Sequence, residues 1–367
     1  MVKRTLCALA AALAASAGWG MAARESPVNE PAAMTFPGVR PAPFASLLRR
    51  GAWLTVVYAD RDTTSLRAVD VPVAGGLPGE APKAVFVDKV DIVPPLGGSF
   101  GLHASAVFDG RLRLLYLDRE KDDRPLLKLV AEDPKGFRLE LVEPFGSPVA
   151  VLAEPGGTPA DVWASGSLRL RGAAGDRVLA ETCLPRGQAL PIDPGRVGEP
   201  PGFTFWDDAS GALLAVLTGP EGVRVFPVPG AGPVSAAAES PGRGLAVATW
   251  DPASRRILLL ERGADGGQYR RTTVTVCDGV GSLFLSWTPS GWMFLYDEVR
   301  TTPPARWVHE LSLLSPEPRT AGRPRYLRRV LSSGSGPLAG FRALRDGATL
   351  FVLEMREGLR LLKTTAP

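Results

Sequence analysis

The sequence predicts an all-β protein built from repeated four-stranded units. Short stretches of alternating apolar and polar residues recur along the chain and are separated by tight polar turns. They return about every 50 residues, which is a repeat length typical of β-propeller blades. Outside residues 1–23, no long segment has helical periodicity. We therefore expect a β-propeller of four-stranded antiparallel blades, most simply a seven-bladed one.

The clearest unit shows how one blade is built. Two of its turns are marked by Asp109-Gly110 and by Pro134-Lys135-Gly136, residue types that favour tight reversals of the chain. The four strands predicted between and around the turns are Leu102–Phe108, Arg111–Asp118, Leu126–Asp133 and Phe137–Glu143.

The same pattern sets the predicted number of blades. First strands are expected to begin near residues 44, 102, 148, 203, 245, 283 and 341. The last unit has three strands, and the segment 33–39 is expected to supply the fourth, which would close the ring and leave no open edge. Six and eight blades are the alternatives, because the outer strands of units four and five are poorly defined. The propeller is predicted to be a single domain spanning residues 33–367.

The N-terminus has the features of a secretory signal peptide. Lys3 and Arg4 precede an apolar run over residues 6–17, and small residues around Ala17 and Ala23 suit cleavage. The run is too short to cross a bilayer, which takes roughly 20 apolar residues. We expect residues 1–23 to be a signal peptide and leader, and the mature protein to be periplasmic or secreted by a bacterium, without a membrane span.

Composition excludes several function classes. The net charge is +4, and acidic and basic residues are interspersed, whereas a nucleic-acid-binding protein would show a clustered basic stripe. The two histidines, His103 and His309, and the two cysteines after the leader, Cys183 and Cys277, do not have the spacing of a metal site. No metal or cofactor is therefore expected. The two cysteines are either joined in a disulfide or inert buried thiols.

The segment Gly101–Lys128 resembles a repeat of secreted bacterial propellers, including sialidase-like (BNR-type) sugar-active propellers. The shared features are a small residue, a serine, an Asp-x-Gly turn and an apolar strand ending in Tyr-x-Asp. The resemblance is good over this unit and partial over the others, so what it implies is the fold. The sialidase Asp-box is absent, since Ser286–Gly291 lacks its aspartate. No catalytic residue follows from the resemblance.

Acids, arginines and tyrosines recur where second strands end. In a propeller, the loop after the second strand and the loop that enters the first strand open on the same face. These side chains are therefore candidates to ring one mouth of the channel and bind a ligand. The alternative is that they serve turn chemistry and exposed salt bridges. The candidates are Asp60, Arg61, Tyr116, Asp118, Arg119, Tyr296, Asp297 and Arg300.

Two further sets of residues have both a functional and a packing interpretation. His103 lies in a predicted first strand and is a ligand-binding candidate that would either line the channel or pack within a blade. Trp206, Trp250 and Trp287 end predicted first strands, where they would either stack on a sugar or fill the gaps between blades.

These observations favour an exported binding or scaffold module for a protein or glycan partner, with its ligand face at one mouth of the channel. The alternative is a glycan-active hydrolase or lyase on the same fold, which would need acids from two strands to converge. The candidate acids are Asp60, Asp118, Asp297 and Glu298, and the sequence singles out no pair. No phosphate loop, nucleophile elbow or calcium loop is present, so a catalytic role has no motif behind it.

Overall fold

The computed structural model of the protein is all-β. It describes residues 24–25, 31–90, 101–119, 125–144, 146–154, 157–194, 202–241, 244–262, 268–302, 306–317, 325–335 and 338–366. Within these ranges it contains 29 β-strands and no helix. The predicted leader, residues 1–23, lies outside the described residues.

The strands form seven sheets, one for each blade. Two strands, β1 (Arg24–Glu25) and β2 (Ala32–Phe36), precede the first blade. Blade 1 is β3 (Pro41–Arg50), β4 (Trp53–Asp60), β5 (Ser65–Pro72) and β6 (Val85–Lys89). Blade 2 is β7 (His103–Phe108), β8 (Arg111–Arg119), β9 (Pro125–Asp133) and β10 (Gly136–Pro144). Blade 3 is β11 (Ser147–Ala153), β12 (Pro159–Ala164), β13 (Gly166–Gly172) and β14 (Gly175–Cys183).

The remaining blades follow in chain order. Blade 4 is β15 (Pro185–Pro191), β16 (Gly202–Asp207), β17 (Ala212–Gly219) and β18 (Gly222–Val228). Blade 5 is β19 (Ser235–Ser240), β20 (Gly244–Asp251), β21 (Arg256–Arg262) and β22 (Tyr269–Val276). Blade 6 is β23 (Val280–Thr288), β24 (Gly291–Thr302), β25 (Arg306–Pro316) and β26 (Tyr326–Gly334). Blade 7 is β27 (Gly340–Asp346), β28 (Thr349–Met355), β29 (Leu359–Thr365) and the returning strand β2.

The first strand of each blade lies innermost. Contacts between blades run from one first strand to the next, for example from β27 to β3 and from β3 to β7. These strands surround a central channel, and we call the end at which they begin the upper mouth. Each second strand is antiparallel to its first strand, so the second strands end at the upper mouth. The predicted seven-bladed propeller is confirmed.

The two ends of the described chain share blade 7. Strand β2 pairs antiparallel with β29, with Met34 opposite Leu361, and completes a four-stranded sheet. This confirms the predicted closing strand. Strand β1 adds outside this pattern, as a short parallel neighbour of β26 in blade 6.

The predicted first strands of blades 4 and 5 are wrong by one strand. The segments near residues 203 and 245 form the second strands β16 and β20, while the innermost strands are β15 and β19. Strand β15 falls in a proline-containing stretch that reads as a loop, although a strand whose free edge faces the channel tolerates proline. Strand β19 contains three consecutive alanines, which favour a strand only weakly.

The core consists of apolar layers between neighbouring blades. Between blades 7 and 1, Phe351 and Leu361 pack with Leu54, Val56 and Tyr58, all buried. Burial of such side chains contributes about 1.5–3 kcal/mol each. Adhesion between blades therefore comes from side chains on sheet faces and leaves the innermost strand edges directed at the channel.

The three tryptophans join these layers. Trp250 and Trp287 pack against the cluster between blades 5 and 6, where the Trp287 ring meets Trp292 edge to face at 4.8 Å between centroids. Trp206 packs against the cluster between blades 4 and 5. Their geometry is that of side chains filling the gaps between blades.

Cys183 and Cys277 are free and buried, on the outer strand of blade 3 and directly after the outer strand of blade 5. Burial raises the pKa of each thiol to about 12. Both are therefore protonated packing groups, since the thiolate is the reactive form of cysteine.

Candidate functional site

Three of the predicted acids lie at the upper mouth. Asp60 is paired across from Pro41 at the start of β3, and Glu298, next to Asp297, is paired across from Val280 at the start of β23. Asp118 lies at the corresponding end of β8. All three carboxylates are buried, so their role depends on the groups around each one.

Asp60 holds the turn that follows its strand. Its Oδ1 accepts hydrogen bonds from the backbone N–H groups of Asp62, at 3.2 Å, and Arg40, at 3.3 Å. Its Oδ2 accepts from Thr63 Oγ1 at 2.6 Å. The side chain of the neighbouring candidate, Arg61, is exposed. This is the geometry of turn chemistry.

The same turn recurs in two other blades. Asp207 accepts from Ser210 N at 2.9 Å and Leu184 N at 2.6 Å, and Asp251 accepts from Ser254 Oγ at 2.7 Å. In each turn the fourth residue after the aspartate has a positive φ: 44° at Thr64, 63° at Gly211 and 53° at Arg255. The repeated acid at the ends of second strands is therefore a blade-building feature in blades 1, 4 and 5.

Tyr116 and Asp118 belong to a polar cluster between blades 1 and 2. The Tyr116 hydroxyl donates to Asp88, and the Lys128 ammonium donates to Asp118 and lies 3.7 Å from Asp88. Burial, and then the hydrogen bond to Asp88, raise the pKa of Tyr116 far above its ordinary value, so the hydroxyl stays protonated. Arg119 follows at the strand end and is half-buried. The cluster joins the two blades through paired charges.

Asp297 is enclosed in blade 6. It accepts hydrogen bonds from the backbone N–H groups of Gly281, at 2.8 Å, and Ser282. Burial raises the pKa of this carboxyl to about 6, against the lowering effect of those two hydrogen bonds. Any side chain at position 281 would clash with the carboxylate, since its Cβ would lie 2.8 Å from Oδ2.

The next residue, Glu298, is the centre of a buried ion-pair network. Its Oε2 lies 2.9 Å from Arg300 Nε and 3.0 Å from Arg328 Nη2, and both arginines also reach Glu310. Tyr296 lies in the core between blades 5 and 6, where burial raises its pKa to about 12. That the predicted acids, arginines and tyrosines of the upper mouth bind a ligand stays a prediction.

The channel itself contains a second group of polar side chains. Each innermost strand has one edge without a neighbouring strand, so its backbone N–H and C=O groups face the channel and need partners. Side chains that cross the channel supply some of them. We call Ser46, His103, Gln188 and Arg342 the channel cluster; they come from blades 1, 2, 4 and 7.

Gln188 connects the four blades. Its side-chain amide nitrogen donates to the His103 carbonyl oxygen at 2.8 Å and to Ser46 Oγ at 3.3 Å. Its amide oxygen accepts from Arg342 Nη2 at 2.7 Å. Because blade 4 lies opposite blades 7 and 1 in the ring, this single side chain spans the channel.

The hydrogen bonds of His103 determine its tautomer. The Gly101 carbonyl, 2.7 Å from Nδ1, only accepts, so Nδ1 carries the proton. Nε2 therefore accepts from the Ser46 hydroxyl at 3.1 Å. Burial, opposed by the hydrogen bond to Gly101 and assisted by the charge of Arg342, lowers the pKa of His103 to about 4, so the ring is neutral near pH 7.

Gly101 is required for this arrangement. Its φ is +77°, and a Cβ would lie 2.5 Å from the Ala59 Cβ and 3.0 Å from the Ala42 Cβ. Only glycine combines that backbone conformation with such close approach. The tight turn thus aims the carbonyl that fixes the His103 ring.

A separate polar layer lies toward the lower mouth. Arg345 Nε donates to Ser286 Oγ at 2.8 Å, and Ser286 Oγ donates to Asp193 Oδ1 at 3.1 Å. Arg345 is three residues further along β27 than Arg342, about 10 Å at the rise of a strand. In this layer the Ser286 hydroxyl bridges the Arg345 guanidinium and the Asp193 carboxylate.

Sequence reasoning found His103 but missed the other members of the channel cluster. Gln188 fell in a segment that reads as a loop, and Ser46 and Arg342 lay in predicted first strands without a motif around them. The available signal was a polar residue inside a strand that lines the channel. This signal is usable only when the innermost strand of each blade is assigned correctly, and the predicted assignment is wrong by one strand in blade 4.

The described residues contain neither a cluster of metal-ligating side chains nor a helix that could span a membrane. Among them, no group of three or more His, Cys, Asp or Glu side chains is arranged to hold a metal ion. In that same part of the chain, no helix has the length and apolar character needed to cross a membrane.

Comparisons with known proteins give likeness in structure alone. No model of a known protein family matches the chain, and no curated protein sequence matches it. Among solved structures, a protein provisionally assigned as a 6-phosphogluconolactonase from Bacteroides uniformis ATCC 8492 is 12% identical, covering 86% of this chain and 97% of its own, with a TM-score of 0.44.

Two further solved structures are similar at the same level. A protein with the same provisional assignment from Bacteroides fragilis NCTC 9343 is 11% identical, with coverages of 83% and 88% and a TM-score of 0.46. The GH43_1 enzyme from Xanthomonas citri, complexed with xylose, is 12% identical, with coverages of 74% and 90% and a TM-score of 0.34. At such values the likeness concerns the fold and says nothing about activity.

Proposed function

We propose that the protein is an exported binding or scaffold propeller whose partner, a protein or a glycan, engages the upper part of the channel. The observation that supports this is the channel cluster, in which polar side chains from four blades meet where a ligand can reach them. Ser46, Gln188 and Arg342 are each partly exposed, while His103 beneath them is buried.

The cluster is pre-organised for binding. Gln188 makes three hydrogen bonds to three other blades, and the rigid sheets fix the positions of all four side chains. A site whose groups are already ordered loses little side-chain entropy when a ligand arrives. The signal peptide predicted at residues 1–23 is the basis for proposing export.

The variant Gln188→Leu tests this proposal. We expect it to weaken binding of a partner found on an array of glycans and peptides by about ten-fold or more, because the leucine keeps the volume but removes the hydrogen bonds that hold the cluster. Surface plasmon resonance with the mature protein measures the change. Trp53→Ala is the control, since Trp53 is 47% exposed at the first hairpin of blade 1, at the opposite end of the channel. Equal losses in both variants, or loss only in Trp53→Ala, would place the site elsewhere.

A second candidate function, a hydrolase, is favoured by one contact. The hydroxyl of Ser46 donates to an unprotonated His103 nitrogen, and a backbone carbonyl orients the ring from the other side. A nucleophile, a base and a group that orients the base are the elements of acyl transfer. Ser46 Oγ would attack an ester carbonyl while its proton moves to Nε2 and then to the departing alcohol; water would release the acid by the same relay.

A fluorophosphonate probe tests that candidate. If Ser46 is nucleophilic, its oxygen displaces fluoride from phosphorus, and mass spectrometry finds the adduct on the Ser46 peptide of the native protein but not of Ser46→Ala. Labelling is expected to fall as the pH drops through about 4, where His103 becomes protonated. Ser105→Ala is the matched control, a serine on the neighbouring innermost strand whose hydroxyl has no hydrogen-bond partner among the described residues. An unlabelled native protein rules out the hydrolase.

A further inference from the structure

Arg342 brings a positive charge into the channel, and not all of its N–H groups have a hydrogen-bond acceptor among the described residues. Its Nε donates to the Ala45 carbonyl at 3.1 Å, its Nη1 to the Phe341 carbonyl at 2.8 Å and its Nη2 to the Gln188 amide oxygen at 2.7 Å. A guanidinium has five N–H groups. Within the described part of the chain, one N–H on Nη1 and one on Nη2 are therefore left over.

The three acceptors of Arg342 are all neutral. No carboxylate of the described residues lies within 4.0 Å of it, and burial, without an opposing anion, lowers its pKa to about 10. Other partly buried arginines differ: Arg113 contacts Asp161 at 2.8 Å, Arg328 contacts Glu298 at 3.0 Å and Arg356 contacts Glu354 at 2.7 Å.

Partly buried arginines with neutral partners also occur away from the channel. Arg329 donates to the Thr364 hydroxyl and the Thr365 carbonyl and lies on the outer strand β26. Two other arginines on innermost strands have a carboxylate nearby: Arg49 lies 3.5 Å from Asp346, and Arg345 has Asp193 within reach through Ser286. Arg342 is thus a partly buried arginine beside the channel that has no carboxylate partner among the described residues.

The neighbours of Arg342 are compatible with an anion. His103 is neutral near pH 7, and Ser46 and Gln188 carry no charge. A partly buried charge without a counter-charge is costly, and an anion that enters the channel would relieve that cost. Two N–H groups on adjacent nitrogens of a planar guanidinium match the two oxygens of a carboxylate.

We propose that Arg342 binds the carboxylate of an acidic sugar, the class of ligand that this site takes if the proposed binding function holds. A carboxylate is favoured over a phosphate because one guanidinium supplies one charge and the channel cluster contains no lysine. A sugar is favoured over a peptide because an extended peptide pairs along one strand edge, whereas the channel wall presents the edges of strands from several blades around its axis. A hydroxyl both donates and accepts, so a ring of hydroxyls serves the N–H and the C=O groups of such edges alike.

Galacturonate and galactose make the test, because they differ only in a carboxylate or a hydroxymethyl group at one carbon. We expect the unmodified mature protein to bind galacturonate at least about ten-fold more tightly than galactose, by the strength of a charge-assisted pair. Saturation-transfer NMR with both sugars measures this. Arg342→Lys is expected to lose most of the preference, because a point charge replaces the planar fork. Arg345→Lys, in the lower layer, is the control and is expected to keep it.

The different failures are distinguishable. Equal binding of both sugars would overturn the carboxylate inference and leave the proposed binding function standing. Binding of an acetylated glutamate peptide without galacturonate would overturn the choice of a sugar. If neither sugar binds while the array identifies another partner, the inference fails alone; if the array also finds none, the proposed function fails with it. The comparison of the two sugars uses the native protein, so it does not depend on whether a variant folds.

Discussion

Replacing Arg328 with methionine is expected to lower the free energy of unfolding by about 3–5 kcal/mol, the cost of breaking a buried ion pair by removing one of its partners. The Arg328 side chain is 8% exposed and contacts Glu298, itself 4% exposed, and Glu310. Without the guanidinium, Glu298 keeps only the more exposed Arg300 as a charged partner. Equilibrium unfolding in urea, followed by tryptophan fluorescence, measures the difference.

Arg300→Met is the matched control for that substitution. Arg300 contacts the same two glutamates, but its side chain is 38% exposed. Solvent screens an exposed pair, so the expected loss is below about 1 kcal/mol. Similar losses for both variants would contradict the view that burial of Arg328 determines its contribution.

Met34→Ala is expected to destabilise the protein by about 2–5 kcal/mol, the range for removing a fully buried methionine side chain. Met34 has no exposed surface and packs with Leu361 and Phe351 in the layer between blades 7 and 1. The substitution weakens the only described strand that closes the ring, so the loss should appear as a lower melting temperature by calorimetry.

Thr35→Ala provides the comparison on the same strand. Thr35 is exposed, so a change within about 0.5 kcal/mol is expected, as for surface substitutions in general. If Met34→Ala were as mild as Thr35→Ala, the closing strand would contribute little to stability. The ring would then be held by the other six blades alone.

The fold was predictable because each blade is a local structure. Strands such as Arg111–Arg119 are short, buried over most of their length and bounded by Asp-Gly and similar turns, so sequence pattern and structure coincide. Closure by residues near Met34 followed from strand-edge physics, since a three-stranded last unit leaves an open edge.

The prediction of the innermost strand was wrong where that strand lacks the residue types that favour strands. Strand β19 packs its alanines between neighbouring blades, and β15 contains proline at both ends. Tertiary packing makes these segments strands, and intrinsic preference does not report it. A strand in the wrong position moves every side chain to a different distance from the axis.

The candidate site was less predictable for the same reason. Repetition drew attention to Asp60 and Asp118, but repeated residues in a repeat protein are also those that build each repeat. The channel cluster has one member from each of four blades, and Gln188 and Arg342 are 154 positions apart. Their meeting depends on the closed ring, which no local pattern describes.

Closure by β2 also has a consequence for the time course of folding. The partner of β2 is β29, so one of the first strands to be made must wait for the last strand that the structure describes. At about 5–20 residues per second, synthesis alone imposes a delay of tens of seconds. Each of the first six blades can form its hairpins from adjacent residues in that interval. Ring closure, the pairing of greatest sequence separation among the described strands, is then the late and slow step, as expected for such contacts.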